Sequence, residues 1–495
     1  MLAETTAFTI DGIAARPVRV EVDVQRGLPN FQIVGLPDAA VREARERVRS
    51  ALVNSGFEFP LKRITANLAP ADLRKVGPGL DLALASALLA AAGEISLEPL
   101  AGWAFAGELA LDGTVRPVRG ALAMAESARN NAAGIVVPPA NGGEAALAEG
   151  VEVRTIENVA ELRKLADGMI PGQRPEPLDF GRTPDLPDLG DLRGQAHLRW
   201  ALEVSAAGEH GILIVGPPGA GKSLAARRIT SILPPLESGE ILEVARIASV
   251  CGAGAGAITS TRPFRAPHHT VSAAGLVGGG APPRPGEITL AHRGVLFLDE
   301  LCEFRRSALE ALREPLESGE VNIVRASGRQ TLPCRFTLVA AANPCPCGRG
   351  QEDNACQCSV LDIRRYEGAL SGALADRIDI NLAVKQPSAE AMAGPPGEAS
   401  SEVRQRVVEA RLIMAERYGE ARTNSRATPD EVSSFRMEAG AAAMLADSHT
   451  RHCFSGRAHD RVLRLARTVA DLKASPCIEV EHMASALQFR RKEQK

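Results

Sequence analysis

Apolar and polar residues alternate from Val18 to Val24 (Val-Arg-Val-Glu-Val-Asp-Val), the period-two pattern of a strand with one buried face. Over residues 38–54 the period changes. Val41, Ala44, Val48 and Ala51/Leu52 recur at helical intervals, with Arg42, Arg45, Arg47 and Arg49 on the remaining positions. A strand is predicted at 63–68, a loop at 75–79 and an Ala/Leu-rich helix after it. Residues 107–113 read as a strand entering a turn, and 134–138 as another short strand. Pro171, Pro175, Pro177, Pro184 and Pro187 then predict an extended linker. Beyond it the strands lose their alternation. Residues 211–215, 294–298 and 336–342 are almost wholly apolar, as expected of parallel strands covered on both faces. After a Gly/Pro/Ser-rich join at 393–401 the pattern is helical to the C-terminus. The sequence therefore predicts a multidomain α/β protein, with an α+β domain at 1–165, a linker at 166–190, an α/β core at 191–392 and a helical domain at 393–495.

Each apolar strand of the core ends in chemistry. The first runs into Gly216-Pro217-Pro218-Gly219-Ala220-Gly221-Lys222-Ser223, the full Walker A pattern between a strand and a helix. Glycines there let backbone N–H groups turn toward phosphate oxygens, and a helix N-terminus adds its dipole. Lys222 is expected on the β- and γ-phosphates and Ser223 on Mg²⁺, so ATP and Mg²⁺ are the predicted cofactors. The second strand ends in Asp299-Glu300, a Walker B pair: Asp299 for the Mg²⁺ shell, Glu300 to polarise the attacking water. The third ends in Asn343, an amide able to orient water or sense the γ-phosphate.

Directly after Asn343 come Cys345 and Cys347, then Cys356 and Cys358 after an eight-residue gap. Two such pairs on extended chain can close a tetrahedral Cys₄ zinc site, although the one-residue spacers are tighter than usual. A reduced thiol cluster and redox chemistry are the alternatives. Between the Walker motifs lies Pro263-Phe264-Arg265-Ala266-Pro267-His268-His269-Thr270, followed by a Gly/Pro-rich run containing Arg284. Adjacent histidines point apart in regular structure and no third ligand is near, so this reads as a mobile insertion and not as a metal site. Arg325, Arg329 and Arg335 sit on a predicted hairpin around 321–335. In the helical domain Arg457, Arg461, Arg464 and Arg467 share one helix face, opposite Val462, Leu463, Leu465, Ala466 and Val469. That face is either solvated or turned to DNA or another subunit.

The net charge is −3, so nothing chain-wide advertises nucleic acid; any such binding must be local. Aromatic residues make up only 3%, too few for a grip based on base stacking. Nine cysteines in 495 residues, four of them crowded together, fit a reducing cytoplasm. Residues 1–18 lack the basic start and apolar core of a signal peptide, and the longest apolar stretch, 82–92, is too short to span a bilayer. A cytoplasmic protein with no membrane partner is expected.

The run 107–138 resembles the proteolytic domain of Lon proteases. Gly79 stands where that family carries its nucleophilic serine, and Leu122 where it carries its lysine, so the resemblance implies the fold without the peptidase. Over nearly its whole length the chain resembles the magnesium-chelatase-like AAA+ ATPases of the YifB/ComM family. The motifs that carry this are Gly35-Leu36-Pro37-Asp38, residues 67–75 (Asn-Leu-Ala-Pro-Ala-Asp-Leu-Arg-Lys), Phe264-Arg265-Ala266-Pro267-His268-His269-Thr270 and Asn343-Pro344-Cys345-Pro346-Cys347-Gly348. The resemblance implies an AAA+ P-loop core with a helical lid, and an adenine pocket lined by the segment from Gly194-Gln195. It implies Asn343 as sensor 1, Arg377 as an arginine finger reaching a neighbouring subunit, and Arg457 as the sensor 2 arginine. It implies a homo-hexamer with the insertion and hairpin directed at a central pore, which makes Arg265, Arg284, Arg325 and Arg329 the candidate DNA contacts. The implied activity is ATP-driven DNA branch migration during uptake of DNA into the chromosome in natural transformation. The alternative is a motor subunit driving metal insertion into a tetrapyrrole.

Overall fold

The computed structural model describes all residues except 168, 179, 181–185, 254–257, 281–283, 326–327, 351–355, 369–373, 375, 453 and 491–495. The chain forms two compact units. One comprises residues 1–182 with 237–260 and 326–330, and the other 183–236, 261–325 and 331–495. Among the described residues no helix is long and apolar enough to cross a membrane.

The first unit is built on a seven-stranded mixed sheet. Its first two strands, Leu2–Asp11 and Ala14–Gln25, pair antiparallel from Leu2↔Asp23 to Asp11↔Ala14. The predicted alternation is realised there, with Val18, Val20, Val22 and Val24 all buried. The helix Ala39–Asn54 starts at Asp38, whose carboxylate accepts the Val41 N–H at 2.8 Å, and it buries the five apolar positions expected of it. Arg42, Arg45 and Arg49 are exposed, but Arg47 is turned partly inward. It forks onto the fully buried Asp81 (2.7 and 3.0 Å), whose carboxyl is pushed up to about 6 by burial against the pull of Arg47. Gly79 lies two residues before Asp81; a Cβ there would meet Val118 and Met124, and Leu122 is buried. No hydroxyl or amine is supplied at either position.

The helix Ser238–Cys251, which follows the phosphate-loop helix in sequence, belongs to this first unit. Arg246 forks onto Glu126 (2.7 Å twice), Ser249 O accepts the Gly120 N–H at 2.9 Å, and Ser249 Oγ accepts the Leu122 N–H at 3.3 Å. Sequence periodicity alone did not announce this helix as foreign to the core around it.

The second unit has a five-stranded, all-parallel sheet in the order Phe264–Arg265, Val295–Leu298, Thr337–Ala342, Ile212–Val215, Ile380–Ala383. The three central strands are the three predicted apolar runs. The outer strand Phe264–Arg265 corrects one expectation. The segment read as a mobile insertion begins as part of the sheet, a strand of two residues being too short to leave a periodic signal. It continues into the helix Ala273–Val277 and a ribbon pairing Gly278–Gly279 with Arg284–Pro285. The hairpin is present as Glu320–Arg325 and Gly328–Pro333. The side chains of Arg325 and Arg329 lie outside the described residues.

The C-terminal helices Ser400–Tyr418, Ala439–His452, Gly456–Leu472 and Val480–Gln488 share one hydrophobic core with the sheet. Their polar centre corrects a second expectation. Arg467 is not on a solvated face but 2% exposed, donating to Asp471 Oδ1 (3.1 Å) and to the Ser475 and Pro476 carbonyls. Arg417 forks onto the same carboxylate, and Asn424 bridges Asp471 (2.8 Å) to Thr468 (3.1 Å). His210, fully buried just before the strand Ile212–Val215, closes the network between Thr468 Oγ1 and Asp379 Oδ2, both at 2.8 Å. Arg461 also turns inward, donating to Ile378 O at 3.2 Å.

Two guanidinium groups thus depend on one carboxylate that is 0% exposed. Asp471→Ala should cost about 3–5 kcal/mol by stranding both charges, seen as a lowered urea midpoint of the second unit. Arg451→Ala, which breaks a pair that is 71% and 56% exposed, should cost about 1 kcal/mol or less in the same measurement.

Candidate functional site

The strand Ile212–Val215 lies inside the sheet and delivers its end between Ala342 and Ala383. The chain then turns through Gly219 (φ 79°) and Gly221 (φ 83°), a left-handed conformation that glycine adopts without penalty, before entering the helix Lys222–Ile232. At Gly216 a Cβ would stand 2.5 Å from the Val384 carbonyl oxygen, so the loop passes too close to its neighbour for any side chain. Two amides brace the loop from outside: Gln386 donates to Pro218 O at 2.6 Å, and Gln195 to Ala220 O at 3.2 Å. The second brace gives the Gly194-Gln195 approach a structural role visible only in three dimensions.

Lys222 Nζ donates to Gly216 O (2.6 Å), Pro217 O (3.0 Å) and Asn343 Oδ1 (3.0 Å). Burial pulls its pKa below the ordinary lysine value, opposed by the charges of Asp299 and Glu300. Ser223 Oγ donates to Asp299 Oδ2 at 2.7 Å. The structure therefore brings Lys222, Ser223, Asp299 and Asn343 together, at the C-terminal ends of three adjacent parallel strands, where α/β sheets bind ligands. The donor set fits a triphosphate with Mg²⁺: a glycine-rich turn, a helix N-terminus, one amine, and a hydroxyl touching a carboxylate.

Glu300 adjoins this group in an unusual conformation, φ 51° and ψ 47°. Its Oε2 lies 3.2 Å from His269 Nδ1. The rings of His268 and His269 lie side by side, centroids 4.1 Å apart and planes tilted by 36°, which corrects the expectation that neighbours diverge. That rule holds within helices and strands, and this pair occupies a turn. Nothing in the sequence marked His269 as a partner of Glu300 except its proximity to a two-residue strand.

Arg377 sits apart, immediately before the strand Ile380–Ala383, and donates to Glu317 of its own chain. Arg457 is exposed in the first turn of the helix Gly456–Leu472, which Ser455 caps. Of the candidate DNA contacts, Arg265 forks onto Glu287 (2.7 and 2.9 Å), and Arg284 is exposed on the short ribbon.

The four cysteine sulfurs of Cys345, Cys347, Cys356 and Cys358 lie within 4.8 Å of one another. The separations Cys345–Cys347, Cys345–Cys356 and Cys347–Cys356 are 3.3, 3.8 and 3.6 Å. A tetrahedron of thiolates at zinc–sulfur distances of about 2.3 Å has edges of about 3.8 Å, so the cluster has the size of a Cys₄ site. The Arg349 N–H, followed by the neighbouring thiol of Cys345, draws the Cys347 thiol down to about 6. A Cβ at Gly348 would stand 3.0 Å from the Pro218 ring, so the cysteine turn abuts the phosphate loop.

Three family profiles match the chain: "Magnesium chelatase, subunit ChlI" over residues 188–406, "Subunit ChlI of Mg-chelatase" over 20–141, and "Magnesium chelatase, subunit ChlI C-terminal" over 397–490. The chain is 42% identical to the protein YifB of Escherichia coli K12, across 97% of its own length and 95% of that protein's. It is 39% identical to the competence protein ComM of Haemophilus influenzae, again across 97% and 95%. To the magnesium-chelatase 38 kDa subunit of Rhodobacter capsulatus it is 30% identical, but over only 30% of this chain and 48% of that one. The chain belongs to the YifB/ComM family of magnesium-chelatase-like proteins.

Proposed function

We propose that this protein is an ATP-hydrolysing motor, working as a ring of six copies on DNA and driving branch migration of recombination intermediates. Its family implies the use of ATP and Mg²⁺. Its likeness to a competence protein along nearly the whole chain, against a partial match to a chelatase subunit, favours DNA over tetrapyrrole metallation as the substrate. In this reading the chain divides functionally at 1–165, 166–190, 191–392 and 393–495, with the helix Ser238–Cys251 of the third stretch packed into the first compact unit. The first is a Lon-like fold that has lost its catalytic pair, and the last is a lid.

One observation carries the ring. Lys222, Asp299 and Asn343 cluster at the C-terminal edge of the parallel sheet. Arg377 lies at the opposite edge, where the Asp379 N–H bonds Gly211 O at 3.0 Å. Gly211 to Gly216 spans about 16 Å of strand, beyond the reach of one side chain. An arginine placed there serves the phosphates of a second copy. Lys222 holds the β- and γ-oxygens, Glu300 takes a proton from the attacking water, Asn343 orients that water, and Arg457 closes over the nucleotide from the lid. Ser223 and Asp299 would hold Mg²⁺, which would supply charge to offset the triphosphate. Glu317 holds the Arg377 guanidinium within its own chain until a neighbour presents a nucleotide.

Arg377→Ala should bind ATP normally and hydrolyse it roughly 10³-fold more slowly. Mixing it with Lys222→Ala should restore part of the activity, because at mixed interfaces each variant supplies what the other lacks. Absence of rescue in confirmed hexamers would rule out a shared site.

Zinc at Cys345, Cys347, Cys356 and Cys358 would fix Gly348 against Pro218 and so steady the phosphate loop. Elemental analysis of protein purified without added metal should find one zinc per chain, and Cys345→Ser should lose it together with part of the hydrolysis. Zinc content near zero would exclude the site.

DNA is held through its phosphates and not read by sequence. Arg325 and Arg329 on the hairpin are the main contacts, with Arg284 and Arg265 beside them. Arg325→Ala with Arg329→Ala should flatten the slope of log affinity against log salt by about two and weaken all duplex sequences alike. An unchanged slope places the DNA elsewhere.

A further inference from the structure

At the edge of the parallel sheet opposite Lys222, arginines from separate stretches of chain gather around one carboxylate. Arg262, Arg293, Arg335 and Arg411 line a polar cleft there with Glu209, beside Gly294 and Thr337 where two of the strands begin. Glu209 Oε1 accepts from Arg411 Nη1 at 3.2 Å, and Arg426 Nε stands 3.6 Å from Oε2. Burial works against ionised Glu209, yet Arg411, Arg426, Arg262 and Arg293 draw its carboxyl down to about 2. The group is an anion at any ordinary pH. Two further carboxylates, Glu320 and Glu314, act together with Arg426 on Cys334, the residue before Arg335. With both counted, five guanidinium groups still face three carboxylates.

The cations are set in place by the fold itself. Arg262, only 8% exposed, donates to Pro234 O (2.7 Å) and Arg293 O (2.8 Å). Arg411 donates to Ala206 O through two nitrogens, at 3.2 and 2.7 Å. Arg335 is pinned by its backbone: its carbonyl accepts the Arg293 N–H at 2.6 Å, and its own N–H bonds His292 Nδ1 at 3.0 Å. A Cβ at Gly319 would stand 2.9 Å from Arg335 Cγ and 3.4 Å from Arg426 Nη1, so these two side chains share one surface. Arg293 is held at φ 60°, a left-handed conformation costly for a residue with a side chain. Neutralising Glu209 alone would need one forked arginine. Gathering like charges and straining the backbone of one of them makes sense where an anion comes to share them.

We propose that this cleft is an anion site that binds a phosphate dianion, either inorganic phosphate or a terminal phosphate monoester. Guanidinium forks match the oxygens of a tetrahedral phosphate, and a dianion offsets an excess that a single negative charge would leave half met. The cleft has room for a group of a few atoms and not for a base or a sugar. The phosphate therefore enters alone, past the exposed Arg335. Once bound, it would tie the helix Ser400–Tyr418, through Arg411, to the sheet, through Arg293 and Arg335. Two sources offer this chemistry: free phosphate, and the phosphorylated end of a nucleic-acid strand. The site is separate from the Lys222 cluster and stands whether or not the protein drives branch migration.

The test uses full-length Lys222→Ala protein, whose phosphate loop has lost its amine, and titrates inorganic phosphate by calorimetry. One phosphate should bind per chain. Arg335→Gln and Arg426→Gln, each added to that background, should weaken it roughly 10-fold. Arg451→Ala, which removes an exposed arginine elsewhere, should leave the affinity unchanged. Thermal unfolding guards against a folding defect. Without phosphate the Arg335→Gln protein should melt where its parent does, and the rise in Tm that phosphate gives the parent should be lost. No saturable binding overturns the site, and so does binding that Arg335→Gln and Arg426→Gln leave unchanged.

A second arm identifies the source by competing bound phosphate with short single strands that carry or lack a 5′-phosphate. Displacement by the phosphorylated strand alone, lost in Arg335→Gln, makes the strand end the ligand. Displacement by neither strand makes it free phosphate. Equal displacement by both overturns the preference for a dianion, because internal phosphodiesters would then suffice.

Discussion

A lysine amine drawn partly out of water keeps its charge only where acceptors replace its lost hydration. Lys222 finds them in Gly216 O, Pro217 O and Asn343 Oδ1, groups that belong to the ends of two neighbouring strands. Those strands must therefore finish at the same level. They do so because Ile212–Val215 and Thr337–Ala342 pair in parallel from Ile212↔Val339 to Val215↔Ala342, and the ladder continues one step as the Gly216 N–H bonds Ala342 O at 3.1 Å. A slip of one residue would carry Asn343 to the other face of the sheet and leave the amine short of an acceptor. The same register sets Asp299 beside Ser223.

The other edge of that sheet is tied to the C-terminal helices through groups that are themselves buried. His210 touches Asp379 and Thr468, Thr468 touches Asn424, and Asn424 touches Asp471 with its two arginines. Every member has a partner drawn from a different element. The segment bearing Arg377 and the helix bearing Arg457 are in this way fixed to one strand, whose far end is the phosphate loop.

What the sequence made legible follows from how local each signal is. Buried parallel strands declare themselves by unbroken apolar runs, and the residue types at their ends, Lys222 with Ser223, Asp299 with Glu300, and Asn343, state their chemistry without three-dimensional help. Partners contributed by distant positions were not legible. Arg47 and Arg467 sit at helical spacings that suit a solvated face, and only the placement of Asp81 and Asp471 turns them inward. His269 meets Glu300 because two residues, Phe264 and Arg265, join the sheet edge, too short a stretch for periodicity to detect. The brace from Gln386 depends likewise on where the chain happens to return.

The assignment of helix Ser238–Cys251 to the first unit has a consequence for how the protein is made. Arg246 and Ser249 supply bonds that Glu126, Gly120 and Leu122 lack until that helix exists. A ribosome completes residues 1–182 well before it reaches 251, and it has added the phosphate loop in between. The N-terminal unit thus finishes folding only after the chain has entered and left the second one. Excision at the Pro-rich segment would separate neither unit whole. The seam between the two parts of this molecule is not a point on the sequence, and any truncation, fusion or gene-level exchange has to move three stretches of chain together.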